Sequence, residues 1–110
     1  MKISDIQKLD AFECLLEVEA DAEILDGYTS DLLSDVMANA AEGCVLITIQ
    51  AHKNTVAVAS LVDASAIIIC NGRPVSDDML EAAEAESIAI FRTEKNQFQT
   101  SVLIAEHITA

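Results

Sequence analysis

Two short runs of apolar, mostly β-branched residues constrain the fold of this chain most strongly. CVLITIQ occupies residues 44–50 and SAIIIC occupies residues 65–70. Continuous runs of this kind are typical of strands that are buried on both faces of a parallel sheet. The segment between them, NTVAVASLVD, is long enough for a crossover helix with Asn54 as its N-cap residue. The two runs therefore predict a strand–helix–strand unit.

Helices are predicted before and after this strand–helix–strand unit. Ser30 and Asp31 predict the start of a helix over about 31–41, which Gly43 ends. The apolar face of this helix is predicted to comprise Leu32, Leu33, Val36, Met37 and Ala40. Farther on, Ser76 is predicted to cap another helix, because acidic residues follow it where the helix dipole favours negative charge.

The ends of the chain complete the pattern. SIAIF predicts a strand at 87–91, and a last helix is predicted over about 96–107, with Phe98, Val102 and Ala105 on one side. Near the N-terminus we expect a short helix capped by Ser4 and strands at 12–18 and about 22–28. The alternation predicts an α/β fold, a three-layer α/β/α domain with a mainly parallel sheet of about five strands. At 110 residues the chain is expected to form a single domain over 1–110.

Composition adds expectations about partners and location. Hydrophobic residues make up 52% of the chain, and this surplus predicts a homodimer with an apolar interface. The apolar runs are too short to span a membrane and no signal peptide is visible, so a cytoplasmic location is expected. The net charge of −13 repels nucleic acid and anionic lipid, and neither is predicted to bind. Cys14, Cys44 and Cys70 are predicted to be buried, reduced thiols.

Polar residues follow the predicted parallel strands at the edge where α/β sheets tend to bind ligands. The candidate ligand-binding residues are Gln50, His52, Lys53, Asn54, Asn71, Gly72, Arg73 and Thr93. Four of the six basic residues fall in the same loops: Lys53, Arg73, Arg92 and Lys95. The functional interpretation is a site for a small anion beside helix N-termini. The alternative is a set of solvated polar loops.

His52 has three interpretations: a catalytic base, a ligand contact or a turn residue. No residue at a metal-ligand spacing accompanies it, and no nucleophile and base can be paired from the sequence. The glycine patterns GxxxxGK[ST] and GxGxxG are also missing from the sequence. The sequence therefore predicts no catalytic residue, no metal site and no cofactor.

The run from Gly27 to Thr93 resembles the small stand-alone proteins of the DRTGG domain family, above all in SDLLSDVMANA, ITIQAHKN and NGRP. It is similar, more distantly, to domains of HPr kinase/phosphorylases, phosphotransacetylases and CBS-containing pyrophosphatases. The resemblance aligns the namesake Asp-Arg with Ala51-His52 and the Thr-Gly-Gly with Cys70-Asn71-Gly72, so that only Gly72 is retained.

The resemblance implies an α/β/α domain that is regulatory or dimer-forming and not itself catalytic. Our leading hypothesis is a homodimeric regulatory or interaction module that binds a small anionic metabolite or nucleotide and serves a signalling-protein partner. The alternative is a dedicated sensor whose small molecule lies between residues 50–54 and 71–73. An enzyme that uses His52 is a distant third.

Overall fold

Five strands and five helices alternate along residues 1–109, the part of the chain that the computed structural model describes. In chain order they are α1 (Ile3–Gln7), β1 (Glu13–Leu16), β2 (Asp26–Thr29), α2 (Leu33–Asn39), β3 (Cys44–Thr48), α3 (Lys53–Leu61), β4 (Ala66–Ile69), α4 (Asp77–Ala85), β5 (Ala89–Arg92) and α5 (Gln97–Thr109). The predicted α/β class is confirmed.

The strands form one sheet in the order β1-β5-β4-β3-β2. The pairs β2–β3, β3–β4 and β4–β5 are parallel, while β1 pairs antiparallel with β5. Helices α2, α3 and α4 connect successive parallel strands. The C-terminal ends of β2, β3, β4 and β5 therefore lie at the same edge of the sheet, as predicted.

The two central strands are buried on both faces, which explains why their sequences do not alternate between apolar and polar residues. Leu46 and Ile67 belong to a core with residues of α2, α3 and α4. Val45 and Ile68 belong to a second core with residues of α1 and α5. Because neighbouring side chains along a strand point to opposite faces, one apolar run supplies both cores. The result is the predicted three-layer arrangement.

The predicted helix caps have mixed outcomes. Ser76 caps α4, since its Oγ accepts a hydrogen bond from the backbone N–H of Met79 at 3.2 Å. The predictions that Ser4 and Asn54 are N-cap residues were wrong. Helix α1 begins one residue before Ser4, whose hydroxyl donates to Asp21 instead, and α3 begins at Lys53, so Asn54 lies within its first turn.

Several predicted elements differ in extent. The strand expected over 12–18 forms only over Glu13–Leu16. The strand expected over 22–28 forms only over Asp26–Thr29. The helix expected over 31–41 begins at Leu33, after the N-cap residue Leu32. Its predicted apolar face is only partly buried: Val36 is inaccessible, whereas Leu32 is 64% exposed.

The apolar side predicted for the last helix is not its buried side. Phe98 is 77% exposed and Val102 is 44% exposed. The buried side of α5 carries Thr100 and Ile104. Both sides of this helix contain apolar residues at helical spacing, so periodicity alone does not identify the side that packs on the sheet.

Candidate functional site

A carboxylate joins three of the segments that meet at the C-terminal edge of the sheet. The Oδ1 atom of Asp31 accepts hydrogen bonds from Thr48 Oγ1, the backbone N–H of Ile49 and Gln97 Nε2, each at 2.9 Å. The backbone oxygen of Asp31 accepts another from Gln50 Nε2 at 3.1 Å. Asp31 was predicted to start a helix, but its side chain instead connects the loops after β2 and β3 with the first turn of α5.

Gln50 is held in place by both its main chain and its side chain. Its backbone oxygen accepts a 2.6 Å hydrogen bond from the buried Thr55 hydroxyl, and its side-chain amide donates to Asp31. Its Oε1 atom lies 3.2 Å from Nε2 of His52. Gln50 therefore orients an otherwise exposed imidazole at the start of α3.

The N-terminus of α3 differs from that of α4. No side chain caps it, and its first turn contains no acidic residue. Lys53 and Asn54, both exposed, occupy this turn. The positive end of the helix dipole and the Lys53 ammonium group therefore reinforce each other, which favours an anion at this position.

The loop after β4 makes a tight left-handed turn. Asn71 and Gly72 have φ values of 61° and 59°, a region that favours asparagine and glycine. Their backbone N–H groups donate to the oxygens of Lys95 and Thr93, at 3.0 Å and 2.8 Å. Because both N–H groups are used within the protein, this loop does not present them to a ligand as a phosphate-binding loop would.

A second carboxylate lies against this turn. A Cβ atom added at Gly72 would lie 2.7 Å from Oε1 of Glu94 and 2.8 Å from its Cδ atom. The Glu94 side chain is exposed. In this position its negative charge opposes an anion beside Gly72.

Of the four basic residues predicted at this edge of the sheet, three are exposed. Lys53, Arg73 and Lys95 are exposed, and within residues 1–109 no acidic side chain forms an ion pair with them. Arg92 lies at this edge, as predicted, but it forms an ion pair. It is the last residue of β5, and its Nη2 atom lies 3.0 Å from Oε1 of Glu13 on the neighbouring strand β1.

The candidate residues fall into two groups. Gln50 and His52 form the first with the N-terminus of α3, and main-chain hydrogen bonds join the Asn71–Gly72 turn to Thr93 in the second. Lys53 and Asn54 line a depression between α3 and α4, whereas Thr93 lines a separate depression beside β1. That the eight candidate residues form a single binding site stays a prediction.

Asp31, Gln97 and Glu94 are site residues that sequence reasoning missed. Asp31 and Gln97 lie 66 positions apart, and their pairing leaves no local pattern in the sequence. Glu94 directly follows Thr93, so the rule that selected Thr93 could also have selected it.

Other polar groups of the described chain are satisfied without a ligand. Over residues 1–109 no three His, Cys, Asp or Glu side chains form a group that could hold a metal ion. In the same range every buried side-chain nitrogen and oxygen has a hydrogen-bond partner. None of the helices described is long and apolar enough to cross a membrane.

The cysteines are reduced, and burial raises the pKa of the Cys44 and Cys70 thiols. Cys14 was wrongly predicted to be buried: it is exposed on the edge strand β1. Elsewhere, the Tyr28 hydroxyl donates to Asp35 Oδ2 at 2.7 Å. This hydrogen bond raises the pKa of Tyr28 and lowers the pKa of Asp35.

Fold and loops together define a small α/β/α domain with a polar strand-end edge. The DRTGG domain model matches residues 19–107, which is most of the chain. The chain belongs to the DRTGG domain family.

A solved structure supports the same fold. It contains the CBS and DRTGG domains of the regulatory region of Clostridium perfringens pyrophosphatase, complexed with the activator diadenosine tetraphosphate. The chain is similar to this structure over 93% of the chain's own length, with a TM-score of 0.74 and 17% sequence identity. It covers 45% of that longer chain. No curated protein matches the sequence.

Proposed function

We propose that this chain is a cytoplasmic, single-domain regulatory module that is not an enzyme, acts as a homodimer and binds a small anionic metabolite or nucleotide. The observation that carries the proposal is the N-terminus of α3. It has no side-chain cap and no acidic residue in its first turn, its N-cap residue is His52, whose ring Gln50 orients, and its first residue is Lys53.

The charge distribution supports an anion at this edge. The chain carries 19 acidic and six basic residues, yet Lys53, Arg73 and Lys95 are exposed here and form no ion pair within the described residues. A charge-assisted hydrogen bond to a phosphate is stronger than one between neutral groups. A small anion can therefore make favourable charge interactions at this edge, whereas the rest of the acidic surface repels it.

The surroundings of His52 argue against catalysis. Its imidazole has the side-chain amide oxygen of Gln50 as hydrogen-bond partner, and an amide does not take up a proton at neutral pH. A nucleophile paired with a base is the usual mark of covalent catalysis, and the described contacts of His52 include no serine, cysteine or carboxylate. Because the Gln50 oxygen can only accept, Nε2 of His52 carries the hydrogen, and Nδ1 is the ring atom left for a ligand: it accepts in the neutral ring and donates to an anion in the imidazolium form.

Membership in the DRTGG family supports the regulatory role, because the neighbouring structure is part of a regulatory region. That region was crystallised with diadenosine tetraphosphate, so nucleotides are the first ligands to test. The neighbour also contains CBS domains, and its ligand is not assigned here to either kind of domain.

Thermal unfolding in the presence of inorganic phosphate, AMP, ATP and diadenosine tetraphosphate tests the proposal. A ligand at 100 times its Kd stabilises the folded state by about 2.7 kcal/mol, which raises the unfolding temperature measurably. We expect His52→Ala and Lys53→Gln to abolish this rise. Lys8→Gln removes the same charge from the far side of the sheet, beside α1, and should retain it.

Two results would contradict the proposal. One is the same unfolding temperature with and without every anion tested. The other is an equal loss of response in Lys53→Gln and Lys8→Gln, which would show that the net charge matters and the edge does not.

A further inference from the structure

Most of the large apolar side chains that are exposed within the described part of the chain belong to segments that adjoin β2 or pack on it. Six such side chains are exposed, and five of them belong to segments that flank β2. We call these five the β2 surface: Leu25, Leu32, Met37, Phe98 and Val102. The sixth, Leu61, lies at the end of α3.

The fold places the segments that carry these residues around one edge strand. Strand β2 is at the edge of the sheet, with α2 following it on one face and α5 packed against it on the other. A cleft of about 250 Å³ separates β2 from α5, and Gly27, Ile104 and Ile108 contribute to its walls. Exposed apolar side chains therefore lie on the segments that flank the open edge of β2, and a single copy leaves them in contact with water.

The charge of this region is unusual for the chain. Helix α5 contains one carboxylate, Glu106, and no lysine or arginine in 13 residues, whereas charged residues make up 23% of the whole chain. Two carboxylates are present at β2 and α2, and each accepts a hydrogen bond within the protein: Asp26 from the backbone N–H of Gly27 at 2.8 Å, and Asp35 from Tyr28.

This charge depletion indicates which partner fits. Two chains that each carry −13 repel, so association is favoured through a surface with few charged groups. A basic partner would instead be attracted to the acidic surfaces elsewhere on the molecule. Depletion of charge with enrichment of aromatic and methionine side chains is typical of an interface core. Phe98 and Met37 match that composition.

We infer that the β2 surface is the interface of a symmetric homodimer. The inference rests on the homodimeric state in the proposed function and does not depend on the ligand. A stable interface buries about 800 Å² of each partner, roughly one-seventh of the 5687 Å² accessible surface of this chain. The two copies pack through side chains, because Asp26 already occupies the Gly27 N–H that strand addition would use.

Sedimentation velocity on the full chain, from low micromolar to several hundred micromolar, tests the interface. The wild type should sediment as a species whose molecular mass is twice the 11.8 kDa of one chain. Phe98→Glu places one new charge from each copy in the interface and should raise the dimer Kd by at least tenfold. Leu61→Glu is the control, since Leu61 is 71% exposed, close to the 77% of Phe98, but lies outside the β2 surface.

Circular dichroism identifies variants that fail to fold, and Val102→Glu provides a second test on the same helix. A monomeric wild type at the highest concentration would overturn the inference. So would equal dimer Kd values for Phe98→Glu and Leu61→Glu. The thermal response to anions is measured separately, so a dimer without any ligand would contradict the proposed function and leave the interface intact.

Discussion

The Oδ1 atom of Asp31 lies 2.9 Å from Nε2 of Gln97, although 66 residues separate the two in sequence. The same oxygen accepts hydrogen bonds from Thr48 and Ile49, so one carboxylate oxygen has three donors. Hydrogen bonds to a charged group contribute more to stability than those between neutral groups. Asp31 thus holds the end of β3 and the start of α5 in place relative to each other. These hydrogen bonds are separate from those that pair the strands.

Asp31→Ala should lower the free energy of unfolding by about 2–3 kcal/mol, because it leaves partly buried donors without an acceptor. Asp31→Asn keeps an acceptor oxygen and should cost less. Urea unfolding at neutral pH measures both. Asp10→Ala, on an exposed loop, should change stability by no more than about 0.5 kcal/mol. Equal effects of Asp31→Ala and Asp10→Ala would contradict the role of Asp31.

Gly72→Ala should lower the free energy of unfolding by about 1–2 kcal/mol, because alanine is strained at the left-handed φ of 59°. Contact with the Glu94 carboxylate adds to this, so Glu94→Ala should recover part of the loss but not the backbone part. Urea unfolding of both single variants and the double variant separates the two contributions. Gly27→Ala is the control, since its added Cβ would meet atoms no closer than 3.9 Å.

Cys14 should be the one thiol that a disulfide reagent labels in the folded protein, because Cys44 and Cys70 are buried. Desolvation raises the pKa of Cys14, so its labelling rate should still be increasing with pH above 9.0. In denaturant all three thiols should react. Rapid labelling of two or more thiols in native buffer would show that the packing around Cys44 or Cys70 is wrong.

Tyr28→Phe should lower the unfolding temperature at neutral pH, and the difference from the wild type should depend on pH. The pKa of Asp35 is lowered in the folded state, so its contribution is lost as the pH falls below the ordinary value of 3.8. The pKa of Tyr28 is raised, so its contribution is lost as the pH rises above 10.0. Thermal scans across this range measure the difference, and a constant difference would exclude the Tyr28–Asp35 bond as its cause.

Much of the fold follows from short-range patterns in the sequence. The apolar runs at 44–50 and 65–70 predicted β3 and β4, because a strand buried on both faces has to be apolar throughout. Ser76 was identified as a cap from residues next to it in the sequence. The exposed side of α5 was mistaken for a packing side, since both sides are apolar and only the tertiary structure separates them.

The candidate site was less predictable. The prediction of parallel strands placed the loops after β3, β4 and β5 at one edge, which brought His52 and Gly72 into consideration. The sequence does not show that the N–H of Gly72 is already used by Thr93, or that Arg92 pairs with Glu13. Both contacts join residues far apart in the chain, and both remove groups that a ligand would otherwise use.

The antiparallel pairing of β1 with β5 has a consequence for how the chain is made. Each parallel strand can join the preceding one as soon as the intervening helix is synthesised, but Glu13 waits for Arg92, 79 residues later. At about 5–20 residues per second, β1 leaves the ribosome several seconds before its partner. The N-terminal strand is the first to be synthesised and the last to be paired.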